Sequence, residues 1–315
     1  PRIGWTGVFP AVTTQFHDDL SLDIDATAYR LVHGEADLLP SIVVDRYGDV
    51  LVVQTLSQGS DRLLPVLTRL LVELTAASGV VERNDPRVRQ LEGLESRVSV
   101  VHGEVPERVA VREGAIEYDV DVRAGQKTGL FLDQRENHAA AAGYARGRLL
   151  DAFSYHGGFA LALAAACSSV EALDVSADAV ATIQSNALKN RLPHVQAREA
   201  NAFDELRRLE KAGARYETVV LDPPAFAKNK ASVEKALSGY KDINLRALRL
   251  LEPGGTLVTC SCSHHVDEDT FAQVVHAAAN DAGCLVARVE QRTQGRDHPV
   301  LLGVPETRYL KCLIL

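Results

Sequence analysis

Two cysteines, Cys260 and Cys262, stand in the segment Gly254-Gly-Thr-Leu-Val-Thr-Cys-Ser-Cys-Ser-His-His265, where an apolar run reads as a strand delivering both sulfurs to its end. A thiolate adds readily to an electron-poor carbon, and a site that uses one must lower the cysteine pKa. With His264 and His265 the same cysteines resemble half of a metal site, but no second ligand pair follows at conventional spacing, so no metal is expected. A buried structural thiol is the plain alternative for either residue, and it is the reading taken for Cys167, Cys284 and Cys312. A second constellation, Leu221-Asp-Pro-Pro-Ala-Phe-Ala-Lys228, ends another strand. Proline fixes the backbone and removes N–H donors, so the Asp222 carboxylate and nearby carbonyls project toward a ligand, although Pro-Pro also suits a simple strand end. A third is Asp151-Ala-Phe-Ser-Tyr-His-Gly-Gly-Phe159, followed by Asp174 at the end of the next strand. Asp174 is placed to accept hydrogen bonds from ribose hydroxyls, and Gly157-Gly158 lets backbone approach the ligand. Phe153 and Tyr155 obstruct the glycine cradle that a pyrophosphate needs, which disfavours a dinucleotide dehydrogenase. Another adenosine ligand stays open.

These residues need a scaffold that sends several strand ends to one edge. From about Leu149 the chain alternates strands and helices. Strands are expected at Arg148–Asp151, Val170–Asp174, Val195–Ala197, Thr218–Asp222 and Thr256–Cys260. Helices are expected from Phe159, over Ala177–Asn190, up to Leu251 and over Phe271–Ala282. This order predicts an α/β fold with a parallel, doubly wound sheet, closed by an antiparallel pair at Cys284–Val289 and Arg308–Leu315. From about Ala28 to Val122 the texture is that of a small α/β unit. Ser41–Asp45 and Val50–Thr55 are strand candidates around the turn Arg46-Tyr-Gly-Asp49, and Asp61–Ala77 has helical spacing. Val109–Val122 alternates on both sides of Glu113-Gly114 and reads as a hairpin. The division expected is therefore an extension over 1–27, a central domain over 28–122 and a larger domain over 123–315.

Length and composition set limits. The chain has 315 residues, 46% hydrophobic and 24% charged, which suits two soluble domains. No apolar run approaches the roughly 18 residues of a membrane helix, so no membrane partner is expected and the cytoplasm is the default. Five cysteines without scaffold spacing point to free thiols in a reducing compartment. The absence of methionine suggests that an upstream module precedes the chain. A net charge of −8 excludes a generally cationic nucleic-acid coat and leaves only a local basic patch. Lys228, Lys230, Lys235, Lys241, Arg246 and Arg249, against Glu234 and Asp242, supply one. It is either a solvated helix face or a guide for phosphates.

The segment Gly125-Gln-Lys-Thr-Gly-Leu-Phe-Leu-Asp-Gln-Arg-Glu-Asn-His138 is too densely polar for a plain linker. Together with the blocks 151–159, 221–228 and 254–263, it resembles the bacterial large-subunit ribosomal RNA methyltransferase I family. Gly239–Asn244, Asp297-His-Pro299 and Tyr309-Leu-Lys311 also match that family, and the resemblance runs from about Tyr29 to Leu315. It implies a Rossmann-like class I methyltransferase domain that binds S-adenosylmethionine and releases S-adenosylhomocysteine. Gln134 and Arg135 would help hold the cofactor, Arg135 being suited to a carboxylate by its forked donors. Asp151, Phe153, Ser154 and Gly157 would lie near its methionine part, Asp174 would bind the ribose, and Asn201 with Phe203 would flank the adenine. Asn201 stands where many relatives have Asp. Asp222 would face both cofactor and target base, with Phe226 available to stack and Lys228 and Lys241 to meet RNA. Cys262 falls at the nucleophile position of cytosine-carbon-5 enzymes, and Cys260 is the competing thiol. Many such enzymes carry a further cysteine where this chain has Ala225. The partner implied is 23S ribosomal RNA, naked or in an assembling large subunit, and the resemblance admits a homodimer. Family members carry an N-terminal PUA domain, of which 1–27 would be a remnant.

Two other functions stay open on sequence. A methyltransferase acting on a base nitrogen needs Asp-Pro-Pro but no cysteine. A non-catalytic RNA-binding assembly factor keeps the fold without turnover.

Overall fold

The structure, a computed structural model, describes residues 26–227 and 229–315. The expected extension over 1–27 therefore lies almost wholly outside the described residues. So does Lys228. The chain divides into two compact units. The first takes the residues up to Leu132 together with Gly295–Thr307, and the second takes Asp133–Gln294 and Arg308–Leu315. The return of 295–307 to the first unit is a long-range feature that periodicity does not carry.

In the first unit, β1 (Ala28–His33), β2 (Ile42–Tyr47), β3 (Val50–Thr55), β4 (Gly79–Asn84) and β5 (Arg97–Gly103) form one sheet in that order. All neighbours are antiparallel except β3 and β4, which are parallel and joined through helix α1 (Gln58–Thr75). Gly48 adopts a positive φ in the turn that sets Tyr47 opposite Val50. Ile42, Val44, Leu51, Val53 and Val80 meet Leu64 of α1 in the core. The hairpin β6 (Val109–Glu113) and β7 (Ile116–Val120) forms as its alternation predicts.

Among the described residues the second unit holds α2 (Arg135–Ala142), β8 (Gly147–Asp151), α3 (Gly158–Leu163), β9 (Cys167–Asp174), α4 (Ala177–Lys189), β10 (Val195–Glu199) and α5 (Ala202–Lys211). It continues through β11 (Tyr216–Leu221), α6 (Val233–Leu250), β12 (Leu251–Ser261), α7 (Glu268–Ala282), β13 (Glu290–Arg292) and β14 (Lys311–Ile314). The sheet order is β10-β9-β8-β11-β12-β14-β13. The first five strands are parallel, and β14 runs antiparallel to both neighbours. The expected α/β class and its closing antiparallel strand are present. The last pair differs in extent, because 284–289 is irregular and β13 covers only Glu290–Arg292. Strand β12 begins earlier than expected, with a register shift between its pairings at Leu251 and Thr256.

Alternation along the strands explains the layering. Leu150, Val219, Leu221 and Leu257 share a buried cluster with Leu206 of α5, Tyr240 and Ile243 of α6, and Phe271 of α7. The intervening Leu149 and Val220 are equally buried and point to the opposite face. The chain leaves β8 outward to β9 and β10, then returns to lay β11 and β12 on the other side. The sheet reverses between β8 and β11. Ligands of open α/β sheets gather beyond the carboxyl ends of strands at such a reversal.

Candidate functional site

Four chemistry-bearing residues occupy that edge because each ends a parallel strand. Asp151 is the last residue of β8 and Asp174 the last of β9; Asp222 follows β11 directly, and Cys262 follows β12. The site lies wholly within the second unit.

Asp151 is buried, and its Oδ2 accepts from the Ser154 hydroxyl at 2.7 Å and the Ala160 amide at 3.1 Å. Ser154 thus acts by orienting the carboxylate. Burial raises the Asp151 pKa to about 6, against the pull of these donors. The other oxygen, Oδ1, is buried and has no hydrogen-bond partner among the described residues. Leaving such an acceptor without a donor costs about 1–3 kcal/mol, which a ligand ammonium group would offset. This fits the amino group in the methionine half of S-adenosylmethionine. The backbone agrees with that fit. Gly157 has φ +88°, and a Cβ on Gly158 would lie 2.6 Å from the His138 ring.

Asp174 accepts from the Tyr155 amide through Oδ2 and the Ser176 amide through Oδ1, both at 2.9 Å. Each oxygen keeps a lone pair for a hydroxyl. Asn201 caps α5, its Oδ1 accepting from the Phe203 and Asp204 amides. That role accounts for Asn as well as Asp at this position. The Phe203 ring stands 6.3 Å from that of Phe153, edge to face, and 5.6 Å from that of Phe226. Phe226 in turn lies 4.6 Å from Tyr240. The aromatic residues therefore form one wall, with Phe226 joined to the same ring row as Phe203.

Gln134 and Arg135 are both buried at the start of α2, where Gln134 Oε1 accepts from Asn137 Nδ2 at 2.7 Å. Asp133, also buried, accepts from the Tyr309 hydroxyl at 2.6 Å. Asp222 is half-buried, and its pKa is pushed up to about 7. Loss of hydration is the main cause and the Asp133 charge the next, while His138 and the Gln134 amide pull it back. An acid poised there is able to donate or accept a proton near neutral pH.

The two thiols differ sharply. Cys260 is fully buried opposite Cys312, and burial drives its pKa well above the ordinary value. Cys262 is half-exposed, and its Sγ approaches the Pro223 carbonyl oxygen at 3.8 Å. The loop carrying it is clamped on both sides. The Ser261 hydroxyl donates to the Tyr240 hydroxyl at 3.0 Å, which lies 2.9 Å from the Ser263 hydroxyl. Ser263 Oγ accepts from the Ala227 amide at 3.1 Å. The Asp-Pro-Pro loop and the cysteine loop are thereby fastened to each other.

Not every expected residue joins this cluster. Lys241 lies midway along α6 and pairs with Asp281 of α7 at 2.7 Å. Arg246 is engaged by Glu210 and by Asp242 at 3.0 Å, and Arg249 by Glu210 at 2.9 Å. Three of the six basic residues are therefore bound to neighbouring helices. Lys230 and Lys235 are exposed near the start of α6. Tyr240, Ser261 and Ser263 carry the clamp, Lys311 Nζ adds a bond to the Ser263 carbonyl, and none of the four was given a role by sequence. Lys311 did leave a signal, since it interrupts the apolar run Leu310–Leu315 and buried lysines are rare unless paired.

A family profile described as S-adenosylmethionine-dependent methyltransferase matches residues 29–304. Ribosomal RNA large subunit methyltransferase I of Shewanella frigidimarina (strain NCIMB 400) is 43% identical over 302 residues, spanning 94% of this chain and 76% of that protein. The protein of the same name from Tolumonas auensis is 42% identical over 298 residues, spanning 93% and 75%. Among solved structures, SMU.776 complexed with S-adenosylhomocysteine superposes with a TM-score of 0.78 at 22% identity, covering 92% of this chain and 75% of that one. That last likeness is one of fold.

Proposed function

The chain belongs to the ribosomal RNA large subunit methyltransferase I family of S-adenosylmethionine-dependent methyltransferases, and from that premise we propose that it methylates carbon 5 of a cytosine in 23S ribosomal RNA with Cys262 as nucleophile. The observation that carries this reading is the contrast between the two thiols. Cys262 is accessible beside the Asp-Pro-Pro loop, and Cys260 is sealed in the sheet.

S-adenosylmethionine, when bound, supplies an electrophilic methyl group. Asp151 would hold its amino group, Asp174 its ribose and Phe203 its adenine, with Gln134 and Arg135 closing the site. Carbon 5 of cytosine is a weak nucleophile. Addition of the Cys262 thiolate to carbon 6 forms a C–S bond and moves electron density onto carbon 5. A protonated Asp222 donates to N3 and stabilises the charge that develops there. Once carbon 5 is methylated, its proton passes to water, the C–S bond breaks to return the Cys262 thiolate, N3 gives its proton back to Asp222 and the ring regains aromaticity. A base reached in this way must be turned out of its stack, and Phe226 is available to pack against it. Lys230 and Lys235 are exposed, follow the Asp-Pro-Pro loop in the chain and suit backbone phosphates.

The test is incubation with labelled cofactor and unmodified 23S RNA, then product mapping by mass spectrometry. RNA carrying 5-fluorocytosine should become covalently trapped on Cys262, because fluorine cannot leave as the proton does. Undiminished turnover by Cys262→Ala would sink the cytosine reading and leave base-nitrogen methylation. Protein-free RNA and immature subunits, compared as substrates, separate the two forms of target.

A further inference from the structure

Lys311 opens β14, directly opposite Ser261 in the antiparallel register with β12. Its side chain is almost completely buried. The Nζ donates to the Ser263 carbonyl and to the Tyr309 carbonyl, both at 2.7 Å. The residues flanking Cys262 are thus tied to this lysine, Ser263 through its carbonyl to the Nζ and Ser261 through backbone pairing. The Nζ and the Cys262 sulfur are near enough for their charges to interact.

A primary amine in such a place is costly unless it serves a charge. Strand β14 is otherwise apolar, and Cys312 and Ile314 are fully buried. Leucine or methionine would fill the space without desolvating an ammonium group. The two carbonyls account for two of its hydrogens and leave a third position on the nitrogen.

We propose that Lys311 is a positioning residue whose ammonium group, anchored beneath the cysteine loop, holds Cys262 in its thiolate form. The inference rests on Cys262 being the nucleophile. The thiol proton is released to solvent, and the resulting anion is balanced by the neighbouring cation. Burial lowers the Lys311 pKa to about 8, and the Cys262 charge opposes that fall, as expected for mutual support. The other groups facing Lys311 are Asp267 and Glu268 at the start of α7, which also favour its charged form. Glu268 is further engaged by Arg308. The Tyr240 hydroxyl of α6, which also acts on Cys262, has its pKa raised by burial and contributes no charge near neutral pH. His264 is turned toward the Tyr309 ring, with centroids 5.4 Å apart.

The test is the pH dependence of Cys262 alkylation by iodoacetamide, followed on the Cys262 peptide by mass spectrometry. It is measured in the intact protein and in Lys311→Gln and Lys311→Arg. Glutamine keeps donors for the two carbonyls without charge, and arginine keeps the charge. Lys311→Gln should raise the midpoint by at least a unit, a tenfold loss of thiolate below it, with the same plateau rate. Lys311→Arg should restore most of that loss. An unchanged midpoint in Lys311→Gln, in protein that still binds S-adenosylmethionine by calorimetry, overturns the proposal. Should Lys311→Gln not fold, the native protein decides alone: a midpoint clearly below about 8.5, the value of a free thiol, supports the pairing, and one at or above it refutes it. If Cys262→Ala keeps full turnover while Lys311→Gln still shifts the midpoint, the pairing holds and the nucleophile reading falls.

Discussion

Asp45, Asp61 and Glu82 of the first unit and the strand-end acids of the second are met in opposite ways. In the first, Asp45 is fully buried and gripped by Arg30 through Nε at 2.7 Å and Nη2 at 2.9 Å, with the Thr128 hydroxyl adding a third donor at 2.5 Å. Asp61 takes Arg89 at 2.9 Å and Arg97 at 2.7 Å, and Glu82 accepts from Asn84, Ser99 and Arg97. In the second, Asp151 is met by a hydroxyl and an amide, and the leading charge beside Asp222 is another carboxylate. Buried acids matched with guanidinium groups are structural. Acids crowded together at strand ends, with an acceptor left over, mark where a ligand's charge is to be supplied. Burial alone would have ranked Asp45 and Asp151 together; the identity of the donors separates them.

The largest expected effect breaks the first kind. Arg30→Met leaves Asp45 an uncompensated buried charge and should cost about 3–5 kcal/mol in urea denaturation, most of it recovered by adding Asp45→Leu. Asp222→Asn tests the second kind. It should lower turnover by about 100-fold, roughly 2.7 kcal/mol, with unfolding midpoints equal to or above those of the native protein. A third measurement follows stability with pH. The folded pKa values of Asp151 and Asp222, about 6 and about 7, lie above the unfolded value near 3.8, so the folded state holds extra protons. Their contribution is complete below the unfolded value and is lost as pH rises to about 7. Asp151→Asn and Asp222→Asn should each flatten that decline, and parallel curves for native and variant proteins would contradict the assignment. The smallest effect is expected at Lys241→Ala, whose exposed pair with Asp281 is worth about 0–1 kcal/mol. Turnover within twofold of native would place Lys241 outside the RNA path.

What the sequence made legible follows from which signals are local. Asp151, Asp174 and Asp222 could be set at one edge because each closes an apolar run, and a parallel sheet brings such ends together. The hairpin over 109–120 and the helix over 58–75 were likewise carried by period. Pairing across the fold was not. That Lys241 meets Asp281 and Arg246 meets Glu210 depends on α5 and α7 flanking α6, which no local pattern states. For the same reason the different surroundings of Cys260 and Cys262 could not be read from the motif: alternation places both on one face of β12, but Cys260 is covered opposite Cys312, whereas the strand ends at Ser261 and leaves Cys262 beyond the pairing with β14. Lys311 was visible as an oddity in an apolar strand, and only the register of β14 with β12 gave it neighbours.

The excursion of 295–307 into the first unit, between two strands of the second, bears on how this architecture is inherited. The chain passes between units after Leu132, after Gln294 and after Thr307. A single recombination joint cannot exchange either unit intact, because one cut always separates a segment from the neighbours it packs against. Such a protein is expected to evolve by point changes within a fixed pairing of its halves, and chimeras joined once near Leu132 should express poorly beside those that also transplant 295–307.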